Sequence, residues 1–305
     1  MTTLTEPVRS GPAAPRPDPP GDGATRRAPS YWSLAGAPGL VFVVLAFAVP
    51  LAAVVVKSLT DPSPANYTEA LGSQIFRGSV WTTLRMAVVV TVLCALAGYP
   101  FAYVLARVGR TMRSLLFVSL MLSFWTSLLV RSYAWQVILN DTGVVNTLLL
   151  DLGLAEEPLT LIRTPLAVYV GMVHILVPYL ILAVYAQLRS LDPDLERAAQ
   201  GLGAPPWKVF WRVTLPLSLP GVAAGSVLVF VLALGFYVTP QLLGGAQDVY
   251  LGQAIVMQIE QFLDTGVGSA MAVMLFVAVL AVLGIVARFV GVGRVLGLGQ
   301  GGGRS

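Results

Sequence analysis

Residues able to do chemistry are scarce in the apolar part of this 305-residue chain. It holds one histidine, His174, and one cysteine, Cys94, both within apolar runs. All 15 carboxylates fall outside the six apolar segments described below. An ion-coupled carrier places an ionisable group inside the bilayer to carry the coupling, and a lone His174 is a weak basis for such a relay. A hydrogen-bonded packing role for that histidine is the plainer reading. A single cysteine builds neither a disulfide framework nor a cysteine metal site. There is no GxxxxGK[ST] loop to cradle a nucleotide and no HExxH pair to hold zinc. The expectation is therefore no catalytic residue, no metal and no cofactor.

The one polar interval inside the apolar region is the elbow 195–220, LERAAQGLGAPPWKVFWRVTLPLSLP. Asp192 before Pro193 is a helix start, because the carboxylate caps exposed N–H groups and proline fits the first helical turn. Asp194 and Glu196 suit the positive end of the helix dipole. Ala198, Ala199 and Leu202 give a smooth face, and Gly201 and Gly203 allow a turn. Pro205 and Pro206 open a second short helix that carries Trp207, Phe210 and Trp211 beside Lys208 and Arg212. Leu215–Pro216 is expected to end it. An aromatic, basic helix of this kind lies at lipid headgroups or fits a groove in a partner. Periodicity leaves both open.

The elements that position this elbow are membrane spans. Mean hydropathy is +0.78 and only 11% of residues are charged, against about 25% in soluble domains. The basic residues sit singly at the ends of apolar runs. That is a membrane topology signal and not a stripe for nucleic acid. Six segments reach the roughly 20 residues needed to cross hydrocarbon: residues 35–56, 86–106, 115–135, 165–186, 217–239 and 269–287. The shorter runs 144–150 and 250–259 are expected as loop helices on the membrane surface. Residues 1–33 are Pro-, Gly- and Arg-rich and are expected to be a disordered tail. Residues 34–292 form the membrane domain, and residues 293–305 form a Gly-rich tail. The first apolar run is followed by Lys57 without a cleavage site, so it reads as a retained helix and not as a signal peptide. With the N-terminus in the cytoplasm, 14 of the 19 basic residues fall at cytoplasmic ends. The positive-inside rule then places both termini and the elbow in the cytoplasm.

Candidate translocation residues are Trp125, Ser127, Tyr133 and Trp135 in and after the third segment, and Tyr237 and Thr239 in the fifth. Aromatic rings attract cationic amines by about 0.5–2 kcal/mol. Trp and Tyr near span ends also form interfacial belts. Arg131 near an outer end repels cations, positions an anion, or snorkels to headgroups. Pro240 is expected to end the fifth span. The loop beyond it, with Asp248, Glu260 and Asp264, is either a contact for a binding protein or a solvated loop.

The elbow resembles the EAA motif of binding-protein-dependent ABC importer permeases, E-A-A-x3-G-x9-I-x-L-P. Ala198 and Ala199 match the alanines, Gly203 the glycine, Val213 the isoleucine, and Leu215–Pro216 the last pair. Arg197 stands at the glutamate position, with Glu196 one residue earlier, about 100° away around a helix. FWTSLLVRSYAW at 124–135, the 140–146 stretch with Gly143, and LGFYVTPQLLGG at 234–245 resemble the spermidine/putrescine-type subgroup. The resemblance implies an all-α polytopic membrane protein of six transmembrane helices with the type I ABC importer permease fold. It implies Glu196, Arg197, Ala198, Ala199, Gly203, Leu215 and Pro216 within a coupling loop, residues 190–216, that meets an ATPase. It also implies two ABC ATPase subunits, a second and different permease subunit, an extracytoplasmic solute-binding protein, and a polyamine or similar amine as cargo. The alternative is a channel or membrane scaffold that needs no ATPase.

Overall fold

A computed structural model describes residues 31–290; the expected tails lie outside these residues except for residues 31–33, which open the first helix. Every regular element among the described residues is helical: α1 Tyr31–Thr60, α2 Asn66–Gly72, α3 Gln74–Arg107, α4 Arg110–Trp125, α5 Leu128–Ile138, α6 Val144–Asp151, α7 Pro165–Ser190, α8 Pro193–Gly201, α9 Pro206–Val209, a π turn Phe210–Thr214, α10 Leu215–Leu234, α11 Val238–Leu243, α12 Leu251–Glu260 and α13 Thr265–Val290. The chain divides into two units, residues 1–50 and residues 51–305, with the boundary inside α1. Five helical stretches are long and apolar enough to cross a membrane, and α4 with α5 makes a sixth if that bent pair is one span.

The core of the second unit is α7 packed between α3 and α10. In α3 the buried positions Phe76, Ser79, Thr83, Met86, Val90, Cys94, Gly98, Ala102 and Leu105 recur every three or four residues, the spacing that lines one helical face. α10 buries Ser218, Gly221, Gly225, Val229 and Ala233 in the same way. Buried positions on α7, among them Val168, Gly171, Met172, Ile175, Leu176, Leu180 and Val184, fall on more than one face, as expected of a helix enclosed by neighbours. Lipid is as apolar as these side chains, so close backbone approach must hold such helices together. Gly221 and Gly225 provide it: a Cβ on Gly221 would come within 2.4 Å of Gln187 Cβ, and one on Gly225 within 3.1 Å of Ala183 Cβ. This GxxxG face of α10 is not among the features singled out from the sequence.

The third apolar segment is not the straight span expected over 115–135. The chain turns by 96° between α4 and α5. Thr126 takes an extended conformation, ψ 132°, as does Ser127, ψ 137°. The Thr126 hydroxyl donates back to the Leu122 carbonyl at 2.9 Å, the local bond by which such residues compete with helix continuation. The fifth segment also differs. α10 ends at Leu234, and Pro240 lies within α11 instead of ending a span. Residues 250–259 do form a helix, but it is not merely superficial. Tyr250, Leu251 and Ala254 are buried, and the Leu251 N–H donates to the Thr83 hydroxyl of α3 at 2.7 Å. The Gln253 side chain caps the start of α12 by accepting from the Tyr250 N–H at 2.9 Å.

A Gly221→Leu substitution is expected to force α10 away from α7 and to destabilise the protein by about 1–3 kcal/mol, the usual range for an overpacked interface. Thermal melts of the detergent-purified protein should show this as a lowered Tm. The exposed Gly201→Ala, which meets nothing within 4 Å, serves as the control.

Candidate coupling elbow and translocation residues

The elbow is built from strong local signals. The Asp192 carboxylate accepts from the Asp194 N–H at 2.9 Å, with Pro193 at the first helical position of α8. At the other end Gly203 adopts φ +84°. Its N–H reaches the Gln200 carbonyl at 2.9 Å, and the Ala204 N–H reaches the Ala199 carbonyl at 3.1 Å. These are the two bonds of a Schellman stop, which calls for glycine at the left-handed position.

The second helix does not stop at Leu215–Pro216. The structure runs helically from Pro206 to Leu234, through the π turn at Phe210–Thr214, where the Leu215 N–H bonds to the Phe210 carbonyl. Proline lacks the N–H that an α-helix would ask for, and a widened turn just before it lets the helix continue. Pro216 therefore lies in the first turn of α10 and joins the elbow rigidly to a spanning helix.

Glu196 and Arg197, adjacent in sequence, diverge in role. The Glu196 carboxylate accepts hydrogen bonds from the Arg107 guanidinium at the end of α3 and from the Thr214 hydroxyl at 2.7 Å. Its side chain is 20% exposed. Arg197 faces outward and pairs with Asp194 at 2.8 Å, both about three-quarters exposed, a setting in which an ion pair contributes little. Thus Glu196, off the motif register by one residue, ties α8 to two other elements, while Arg197 pairs only within its own helix at the surface.

A second tie is aromatic. The Phe210 ring meets Tyr103 edge-on at 5.2 Å and Tyr99 at 6.1 Å, both on α3. The Tyr99 hydroxyl shares a hydrogen bond with Ser218 of α10 at 3.0 Å, and the Arg107 guanidinium stacks over Tyr103 at 4.8 Å. The three aromatics of the elbow therefore separate: Phe210 turns inward, while Trp207 and Trp211 stay exposed. Leu202, at the turn, is 90% exposed. Ala198 is exposed and Ala199 half-buried.

The translocation candidates do not form one lining. Trp125 is 89% exposed at the α4–α5 break, and Ser127 beside it is exposed too. Tyr133 faces outward from α5. Trp135 is half-buried, and its indole N–H donates to Nδ1 of the exposed His174 at 2.8 Å. Thr239 is fully buried and shares a hydrogen bond with Ser132 at 3.0 Å, so it pins α11 to α5 and faces no open space. Tyr237 borders a polar groove with Gln241 and Gln253. Sequence reasoning missed Arg107, Thr214, Ser132 and Ser218, because each acts through a partner more than 15 residues away. Among the described residues, no group of three or more His, Cys, Asp or Glu could hold a metal.

An alanine at Glu196 is expected to free α8 from Arg107 and Thr214, worth on the order of 1 kcal/mol for a partly exposed pair. Hydrogen exchange over residues 193–203 should accelerate several-fold, with unchanged protection in α7. Alanine at Arg197 should leave both unchanged.

The chain is similar to known membrane transport proteins. Residues 98–292 match the family described as binding-protein-dependent transport system inner membrane component. The spermidine/putrescine transport system permease protein PotB of Haemophilus influenzae is 37% identical over 208 residues, covering 68% of this chain and 72% of that protein. The PotB of Escherichia coli K12 is 36% identical over 210 residues, covering 69% and 76%. The fold resembles a chain of a bacterial alginate ABC transporter solved in complex with its alginate pentasaccharide-bound periplasmic protein, with TM-score 0.71 at 17% identity over 86% of this chain and 93% of that one. This all-helical, multi-pass chain is a member of the binding-protein-dependent transport system inner-membrane family: the permease subunit of an ABC importer, in which ATP hydrolysis belongs to a separate subunit.

Proposed function

We propose that this permease carries a small amine-containing solute, of the polyamine class, and that residues 190–216 are the surface on which an ATPase subunit drives it. The observation that carries the coupling role is the double attachment of the elbow. Glu196 binds both Arg107 and Thr214, and Phe210 sits against Tyr99 and Tyr103. A push on α8 is thereby delivered to α3 and α10 together, and α10 packs along α7. The face left for the partner carries the exposed Leu195, Leu202, Trp207 and Trp211, apolar groups beside Arg197, Lys208 and Arg212. Such aromatic and basic side chains dominate protein interfaces. Glu196 supports the attachment of the elbow from within, so the motif residues that meet the ATPase are Arg197, Ala198 and the Gly203 turn. The cargo class rests on the polyamine permeases named above. The pair of membrane subunits would be two different permeases, and both termini would be cytoplasmic, in line with the basic-residue asymmetry.

A Gly203→Val variant tests this reading. Valine at φ +84° is strained by roughly 1–2 kcal/mol while meeting no neighbour within 4 Å. The turn should deform and the rest of the fold persist. Expected is normal membrane insertion, loss of ATPase co-purification in mild detergent, and at least tenfold lower spermidine uptake. Full uptake by this variant, or uptake without any ATPase partner, would overturn the coupling role and favour a channel.

A further inference from the structure

The geometry points to a cation-selective cargo subsite in the groove between α11 and α12, with Glu260 as its counter-charge. The groove holds about 370 Å³ and is lined by Tyr237, Gln241, Gln253, Met257, Glu260 and Gln261, with small and branched apolar residues between them. Its place in the fold is informative. α10 leaves the elbow at Leu215 and ends at Leu234, a rise of about 30 Å for 20 residues, which is one hydrocarbon thickness. The groove follows directly after that end, so it opens on the membrane face opposite the elbow, where a solute released from outside would arrive.

The lining chemistry chooses a charge sign and a shape. Glu260 is the one ionisable carboxylate, and none of the described residues lining the groove is basic. The Tyr237 ring adds a π face that attracts ammonium groups. Val249, Val256 and Met257 give apolar contact for methylenes between the polar ends. The wall is also held in place: the Gln253 amide donates to Gln241 at 3.0 Å while its oxygen accepts from the Tyr250 N–H at 2.9 Å. The Gln253–Gln241 bond fixes one side of the wall, and the Glu260 carboxylate at the rim is exposed, without a salt-bridge partner among the described residues. The one formal charge in the lining is negative, so an alkylammonium ion is favoured over a carboxylate or oxyanion. The assignment rests on the amine cargo proposed above for its biological role, but its charge selectivity stands without it.

The test uses the assembled importer in membranes, with Cys94→Ala to remove the native thiol and Ala246→Cys to place one in the groove wall. Modification rates are compared for a trimethylammonium-ethyl and a sulfonatoethyl methanethiosulfonate, each normalised to its rate with a free thiol. Expected is roughly a tenfold preference for the cationic reagent, the low end of electrostatic focusing in a charged cleft. It should collapse towards unity in Glu260→Gln, and spermidine should slow modification. A preference that Glu260→Gln leaves unchanged overturns the site. So does spermidine that the wild type imports but that fails to protect the thiol. If the wild type imports no spermidine yet the Glu260-dependent preference remains, the cation groove stands and the polyamine reading of the cargo falls.

Discussion

The shared carboxylate of Glu196 is the contact on which the proposed coupling role of the elbow depends. A helix of nine residues has no stability of its own in water, since isolated helices need about 12–15 residues even with favourable sequences. α8 buries no residue, so packing does not hold it either. It is fixed by capping at Asp192, by the Gly203 stop, and by the hydrogen bonds from Arg107 and Thr214 to Glu196. These last two bonds reach the end of one spanning helix and the π turn that begins another. Without them the elbow would be a tethered loop, and force applied to it would be lost in rearrangement.

Downstream of the elbow, the proposed transmission would depend on stiffness. The π turn at Phe210–Thr214 lets the chain pass Leu215–Pro216 without a break, so α9 and α10 move as one body. Gly221 and Gly225 then bring α10 against α7 at backbone distance, and α7 in turn packs on α3. A close-packed, enclosed helix responds to displacement by shifting whole, because packed interiors deform little. At the far end Gly235 interrupts the helix, and α11 and α12 pack on the core through the buried Leu243, Leu251 and Ala254, with the Ser132–Thr239 bond and the Leu251 N–H to Thr83 bond beside them.

The existence of the spans was legible in the sequence because the bilayer imposes a simple rule: about 20 apolar residues, with the basic ones at the ends. The elbow was legible for a similar reason. Asp192–Pro193 and Gly203 encode their helix start and stop locally, and the motif spacing survives the displaced glutamate. Three features were not legible. The bend at Thr126–Ser127 lies in a largely apolar run with no proline or glycine to mark it. The continuation through Pro216 depends on a π turn, for which no residue pattern is diagnostic. The function of Glu196 depends on Arg107, 89 positions away, and only the folded chain brings the two together. The translocation candidates were the least legible, since aromatic type alone does not separate Trp135, locked on His174, from Trp125, which faces outward.

A charge exchange between Glu196 and Arg107 tests the central claim most directly. The measured quantity is ATP hydrolysis by the reconstituted importer, stimulated by its loaded binding protein, for Glu196→Arg, for Arg107→Glu and for the two combined. If the pair transmits force from the elbow to α3, each single variant loses most of the stimulation, because like charges now face each other. The double variant then recovers a large part of it. If the double variant is as impaired as the worse single variant, or if both singles retain full stimulation, the elbow is not coupled through this contact and the account fails.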